Sequence, residues 1–265
     1  MVDYCYHTHT YRCGHAQGTE EEYVLSAIEN GYKVLGFTDH VFIKGLGQNY
    51  ARGDIQQLDD YIQTIKNLKE KYKDKIEIYL GFECEYSPFF VDYYKSLLNE
   101  KGFDYLILGQ HDHFTSPTEG SYILHGGEPD VLLKQYVDDV IEGMRTGLFT
   151  YVAHPDLFIR LYQKVTPFVK ECFAKICEGS VKYDIPLELN LGGVRWPEGT
   201  RPGYIDYPCE ELYKIAKKYN CKVIVGIDAH NPKNFEHDKS GEEVALNIIK
   251  KLDLNHITRI KFKKK

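Results

Sequence analysis

Several things this chain lacks narrow it before anything present is read. Its seven cysteines contain no CxxC pair, and their odd number offers no disulfide framework, so a reduced, cytoplasmic protein is expected. No run of about 18 apolar residues occurs and no signal sequence is read ahead of the first strand, which argues against a membrane span or export. Basic residues are not in surplus. Lys and Arg number 33 against 39 Asp and Glu, a formal charge of −6, which disfavours non-specific binding to nucleic acid or a membrane surface. The short basic tail, Lys261 to Lys265, reads as a solvated terminus. GxSxG, P-loop and CxxxxxR patterns are all missing, so nucleophilic Ser or Cys catalysis has little support. There is also no low-complexity linker. With 265 residues and 43% apolar content, residues 1–265 are read as one domain.

What is present alternates. Strand-like runs at 2–9, 33–38, 75–83, 104–110, 150–153, 186–191 and 222–227 are each followed by a helix-like run. The helices are expected at about 19–30, 54–73, 89–100, 128–146, 166–182, 208–219 and 241–252. Thr19-Glu20-Glu21-Glu22 has the form of a capping box, and Gly31 stops the helix it opens. Leu58, Tyr61, Ile65, Leu68 and Tyr72 recur at helical spacing behind Asp54, an N-cap residue. Strands alternating with helices imply βαβ units and a parallel sheet. Seven units imply a closed or nearly closed (βα)7 barrel, and Ile257 to Phe262 could add a short terminal strand.

Eleven histidines are scattered through the sequence, and many of them end an apolar, strand-like run. His7 and His9 end the first, His40 the second, His111 the fourth, His154 the fifth and His230 the last, while Glu83 takes the matching place in the third. One imidazole or carboxylate at the end of each strand is what a metal site at one rim of an α/β barrel requires. Residues two apart on a strand share a face, so His7 and His9 form a two-point clamp. His111 and His113 share a face as well. His15, in a Gly-flanked loop, and Asp39-His40 are weaker signals taken singly, as are His154-Pro155-Asp156 and Asp228-Ala229-His230. A carboxylate such as Glu83 can bridge two ions, one on each oxygen. The mixture of imidazole and carboxylate suits Zn, Mn or Fe(II) in a hydrolytic site.

The motifs HTH at 7–9, RCGH at 12–15, GFTDH at 36–40, GFECE at 81–85, AHPD at 153–156, ELN at 188–190 and DAH at 228–230 resemble the polymerase-and-histidinol-phosphatase (PHP) superfamily. The resemblance covers nearly the whole chain and is strongest to the superfamily's monofunctional histidinol-phosphate phosphatases. It implies an α/β fold, a distorted (βα)7 TIM-like barrel with the metal site at the C-terminal rim of the strands, and three divalent ions. By the same resemblance, His7, His9 and Asp228 would hold the first ion and Glu83 would bridge it to a second. The second would take His111 and His154, and the third His15, His40 and His230. His113 has no role in this scheme and is expected to support a ligand from behind or to be structural.

Two close divalent ions can lower the pKa of a shared water, and a metal-bridging hydroxide would then attack phosphorus in line. The developing charge needs cations, and Arg160 and Arg195, both just beyond strand ends, are the expected phosphate contacts. Arg12 and Arg201 are weaker candidates. The leaving alkoxide needs a proton, directed by Asp39 or by a metal-linked histidine such as His230. The implied reaction is hydrolysis of L-histidinol phosphate in histidine biosynthesis. Its ammonium would pair with a rim acid, Glu85, Asp112 or Asp156. The alternatives are another small phosphate ester or phosphotyrosine as substrate, or a non-catalytic metal-binding regulatory module. Neither nucleic acid nor membrane is expected as a partner, and the sequence is silent on oligomeric state.

Overall fold

The computed structural model describes residues 1–46, 51–195 and 205–262. Its first half runs β1 (Tyr4–Cys5), α1 (Glu20–Glu29), β2 (Val34–Phe37), α2 (Leu58–Lys71), β3 (Glu77–Cys84), α3 (Val91–Ser96) and β4 (Tyr105–Leu108). A hairpin of β5 (Asp112–Ser116) and β6 (Glu119–Tyr122) follows, then α4 (Pro129–Thr146) and α5 (Pro167–Lys182). The chain finishes with β7 (Leu187–Asn190), α6 (Glu210–Lys218), β8 (Lys222–Gly226), α7 (His237–Ser240), α8 (Glu242–Leu252) and β9 (Asn255–His256). Local chemistry sets the helix ends. Thr19 accepts from the Glu22 N–H while the Glu22 side chain returns to the Thr19 N–H, which is the expected capping box. Pro129 and Pro167 open α4 and α5, and Gly147 closes α4 in the left-handed conformation.

β1, β2, β3 and β4 pair in parallel in that order, and β7, β8 and β9 form a second parallel run. Single bridges connect the two. Val152 pairs with Leu108 at the end of β4 and with Leu187 at the start of β7, while Thr8 pairs with Ala229 beyond the ends of β1 and β8. The result is an α/β fold whose parallel sheet curls around a buried interior. Tyrosines fill much of that interior. The Tyr105 and Tyr151 hydroxyls donate to the Tyr6 carbonyl at 2.8 and 3.1 Å. Gly36 is required here, because a Cβ on it would lie 2.0 Å from the Tyr105 oxygen.

The 150–153 run lies between β4 and β7 as expected, joined to β4 by the Thr150 N–H to Leu106 and Ala153 N–H to Leu108 bonds and to β7 by the Glu188 N–H to Val152 bond, with Val152 as its bridging residue. Two expectations need correction. The β5–β6 hairpin, inserted between β4 and α4, has no counterpart in the apolar pattern, because it has Pro117 and Gly120 within eleven mostly polar residues. Finally, Ile257 to Phe262 is not a strand. β9 ends before it, and Ile257, Ile260 and Phe262 pack on the core instead, with the Phe262 ring 4.6 Å from Tyr79 and 5.3 Å from Tyr105. Among the described residues no helix is long and apolar enough to cross a membrane.

Candidate metal centre

All parallel strands run the same way, so their carboxyl ends meet at one rim, and the residues just past those ends surround a cavity of about 850 Å³. Because Thr8 is held between the Thr38 and Ala229 segments, His7 and His9 are fixed on either side of it and turn their Nε2 atoms to within 3.1 Å of each other. Asp228 Oδ1 lies 3.5 Å from His7 Nε2 and 3.4 Å from His9 Nε2. Glu83 closes the set, with Oε1 3.5 Å from His7 Nε2 and Oε2 3.4 Å from His9 Nε2. Four donors about 2.0 Å from a tetrahedral zinc lie ~3.3 Å from one another. His7, His9 and Asp228 therefore already have the spacing of one cation's ligands, with Glu83 beside them through both oxygens.

The remaining candidates extend from this core. His154 Nε2 is 2.6 Å and His111 Nε2 3.7 Å from the same Glu83 Oε1. His15 and His230 bring their Nε2 atoms to 2.9 Å at the more exposed edge. His40 turns its Nδ1 to Glu83 Oε2, 3.1 Å away, and its ring is nearer His9, at 4.5 Å, than His15, at 5.4 Å. In this side-chain arrangement His40 sits with the Glu83 group more than with the His15–His230 pair. His154 and Asp228 both adopt positive φ, 30° and 53°, outside glycine's usual monopoly of that region. Such backbone costs of order 1 kcal/mol or more and persists where surrounding contacts fix it.

The electrostatics suit a cation. Burial pushes Glu83 up, yet His111, His7 and His40 around it outweigh that and hold it well below the usual carboxylate range. Asp228 is likewise held low, burial being overcome by His7 and His230. His9 goes the other way, pulled down to about 3 by burial and then by His230. His111 rises to about 9, as Glu83 and Glu85 overcome its burial. Glu83 Oε2 is buried with no hydrogen bond. A buried carboxylate oxygen left without a partner, together with this nitrogen and oxygen donor set, fits a divalent metal ion.

Other expected residues fall into place unevenly. Arg160 and Arg195 both line the cavity. Arg195 is anchored by donating to the Ser240 carbonyl at 3.2 Å and the Asp228 carbonyl at 2.7 Å. Asp39 does not reach the cavity. It is fully buried, with its carboxylate occupied by the Thr10 N–H and hydroxyl, both at 2.8 Å. Arg12 is spent on Glu20 and Asp60, away from the rim, and Arg201 lies outside the described residues. His113 pairs with Asp139 at 2.7 Å, as befits a structural histidine. Of the acids, Glu85 is buried in a two-point pair with Arg52 at 3.1 and 3.2 Å, a partner no motif announced. Asp156 is buried and accepts from the Cys209 N–H. Asp112 faces the cavity, 3.7 Å from Arg52.

Comparison with known proteins adds a lineage. Residues 6–192 match the PHP domain. A probable histidinol-phosphatase of Deinococcus radiodurans is 27% identical over 233 residues, 85% of either chain. The histidinol-phosphatase of Bacillus subtilis is 25% identical, covering 84% of this chain and 92% of its own. The Lactococcus lactis histidinol phosphate phosphatase, solved with zinc, L-histidinol and phosphate, superposes with a TM-score of 0.74 over 98% of this chain and 99% of that one. At 19% identity that superposition shows the fold. With the match spanning most of the curled sheet and the rim residues His7 to His154, the chain belongs to the PHP domain family.

Proposed function

We propose that this protein hydrolyses L-histidinol phosphate to L-histidinol and phosphate, as a metal-dependent phosphomonoesterase of histidine biosynthesis. The observation that carries the reading is the convergence, in one cavity, of an imidazole and carboxylate cluster with Arg160 and Arg195. The Deinococcus and Bacillus relatives, a probable histidinol-phosphatase and a histidinol-phosphatase, support the choice of substrate. The scaffold is read as a single-domain, distorted (βα)7 barrel with the site at the C-terminal rim, a reading supported by the bridges at Val152 and Thr8. Seven free, buried cysteines fit a cytoplasmic setting.

In this reading three ions, Zn, Mn or Fe, would be held by His7, His9 and Asp228, by His111 and His154, and by His15, His40 and His230, with Glu83 shared. Such ions supply Lewis-acid polarisation of a phosphoryl oxygen and acidify water. The chain supplies the rest. Arg195, held by two backbone carbonyls, offers its remaining N–H groups to the phosphate without reorganising, and Arg160 adds a second guanidinium. His230 turns Nδ1 to the Asp228 carbonyl at 3.0 Å and Nε2 to His15 at 2.9 Å, so as a ligand it keeps no N–H for the leaving oxygen, and Asp39 is committed to Thr10. Among the rim acids, Asp112 is the partner for the substrate ammonium. Arg52 holds Glu85 at two points, at 3.1 and 3.2 Å, but lies 3.7 Å from Asp112, so Asp112 is the less committed carboxylate. Burial and then Glu85 push its pKa up to about 6.

Phosphate release from L-histidinol phosphate, 4-nitrophenyl phosphate and a simple amino-alcohol phosphate, each before and after chelation, tests the reading. A kcat/KM at least tenfold higher for L-histidinol phosphate, lost on chelation, is expected. Equal values for all three esters would mean a generalist phosphatase, and no release at all would favour a regulatory module.

A further inference from the structure

Behind the rim, one carboxylate touches three of the strand ends at once and has no part in the scheme above. Glu188 lies on β7 and is fully buried. Its Oε1 is 2.9 Å from His7 Nδ1. Its Oε2 accepts the His154 backbone N–H at 2.9 Å and the Asn190 side-chain amide at 2.7 Å. Asn190 Nδ2 in turn lies 3.3 Å from Asp228 Oδ2, and its Oδ1 accepts the Gly192 N–H at 2.7 Å. Gly226 on the neighbouring strand makes room for this arrangement, since a Cβ there would lie 1.7 Å from Glu188 Oε1. The only ion-pair partner shown for Glu188 among the described residues is His7.

We propose that Glu188 is the positioning residue of the cluster: it fixes His7 as the Nδ1–H tautomer and ties the His7, His154 and Asp228 segments into one unit. The proposal rests on the reading that His7 ligates a metal through Nε2. An ionised carboxylate only accepts hydrogen bonds, so the ring nitrogen 2.9 Å away must carry the proton. The lone pair is then at Nε2, which faces His9, Glu83 and Asp228. A ligating imidazole is ordinarily held this way, and loss of the partner lowers metal affinity about 10- to 100-fold.

Glutamine at 188 is close to isosteric but inverts the logic. It offers one acceptor oxygen where three N–H groups now need acceptors. Two of those, from His154 and Asn190, converge on Oε2, so the amide oxygen belongs there and the amide NH2 faces His7 Nδ1. His7 must then accept at Nδ1 and carry its proton on Nε2, where it blocks the metal.

The test uses the full-length protein with zinc. Glu188→Gln is expected to weaken zinc binding about 10- to 100-fold in a chelator competition. Glu188→Asp, shorter but still acceptor-only, is expected to bind zinc more tightly than Glu188→Gln. A purely space-filling role gives the opposite order, and that order would overturn the proposal. Should Glu188→Gln fail to fold, the parent decides, because 15N chemical shifts of the zinc-loaded protein must show His7 protonated at Nδ1 and an Nε2–H signal for His7 would overturn it. His7→Ala separates the two layers. If it leaves zinc affinity unchanged, the ligand reading itself falls. If it abolishes binding while Glu188→Gln binds within twofold of the parent, only the role of Glu188 falls.

Discussion

The two ends of the curled sheet are built from the same strands and do opposite work. At the carboxyl ends, His7, His9, Glu83, His154 and Asp228 crowd polar atoms within 2.6 to 3.5 Å of one another, some of them buried without a hydrogen bond. At the amino ends Tyr4, Tyr6, Tyr79 and Tyr105 meet Phe262 of the tail, with rings 4.6 to 6.3 Å apart. The floor satisfies itself, since its hydroxyls find carbonyls and its rings find rings. The rim does not, because imidazoles and carboxylates that could hold a metal ion crowd there and Glu83 Oε2 is buried without a hydrogen bond. Where parallel strands of an α/β fold end together, function collects at the carboxyl ends and stability at the other. A side chain's distance along its strand is therefore the best guide to what its loss will do.

The largest effect is expected at the centre of the rim. Glu83→Gln keeps volume but removes a negative charge shared by several imidazoles, and kcat/KM should fall on the order of 10³-fold or more while the fold is retained. Metal analysis and circular dichroism alongside the kinetics check this, and near-native turnover at unchanged metal content would remove Glu83 from the bridging position. Next come the phosphate contacts. Arg160→Ala or Arg195→Ala should each cost about 2 to 4 kcal/mol, or 10²- to 10³-fold in kcat/KM. A variant within threefold of the parent would return that arginine to a structural role. Asp112→Asn, farther out, sharpens the comparison within the rim itself. Loss of one charge-assisted contact to the ammonium is worth about 1.5 to 3 kcal/mol, roughly 10- to 100-fold on L-histidinol phosphate, with little change on 4-nitrophenyl phosphate. Equal loss on both esters would show that Asp112 supports the site and does not select the substrate. The smallest effect belongs to the floor. Phe262→Ala, half-buried, should lower stability by about 1 to 2 kcal/mol and Tm by a few degrees, with kcat/KM unchanged. A tenfold loss of activity there would break the division between the two ends.

Much of this was legible in the chain. Long periodic segments such as α2 and α4 fall within a few residues of their expected limits, because an amphipathic stripe and a cap are local facts. The strand-end histidines were legible for a related reason. Successive parallel strands point one way, so a polar residue ending each apolar run must arrive at the same rim. The β5–β6 hairpin was not legible, because its register depends on the Pro117-Thr118 turn and an irregularity between Phe114 and Ser116, and on no hydrophobic alternation. Nor was the fate of Arg12 and Asp39, whose partners Glu20, Asp60 and Thr10 are brought near by folding.

The sequence by itself determined the alternation of strands and helices, the family, and the kinds of donor atoms that line the rim, since each follows from residue type and spacing along one stretch of chain. Only the tertiary structure decided which donors face one another. It paired His40 with Glu83, Arg52 with Glu85 and His7 with Glu188, and set Asp112 on the cavity 3.7 Å from Arg52. The physical reason is range. Periodicity and capping act over a few residues, whereas the Glu188 carboxylate meets a ring 181 positions away, and such a contact exists only after the sheet has curled.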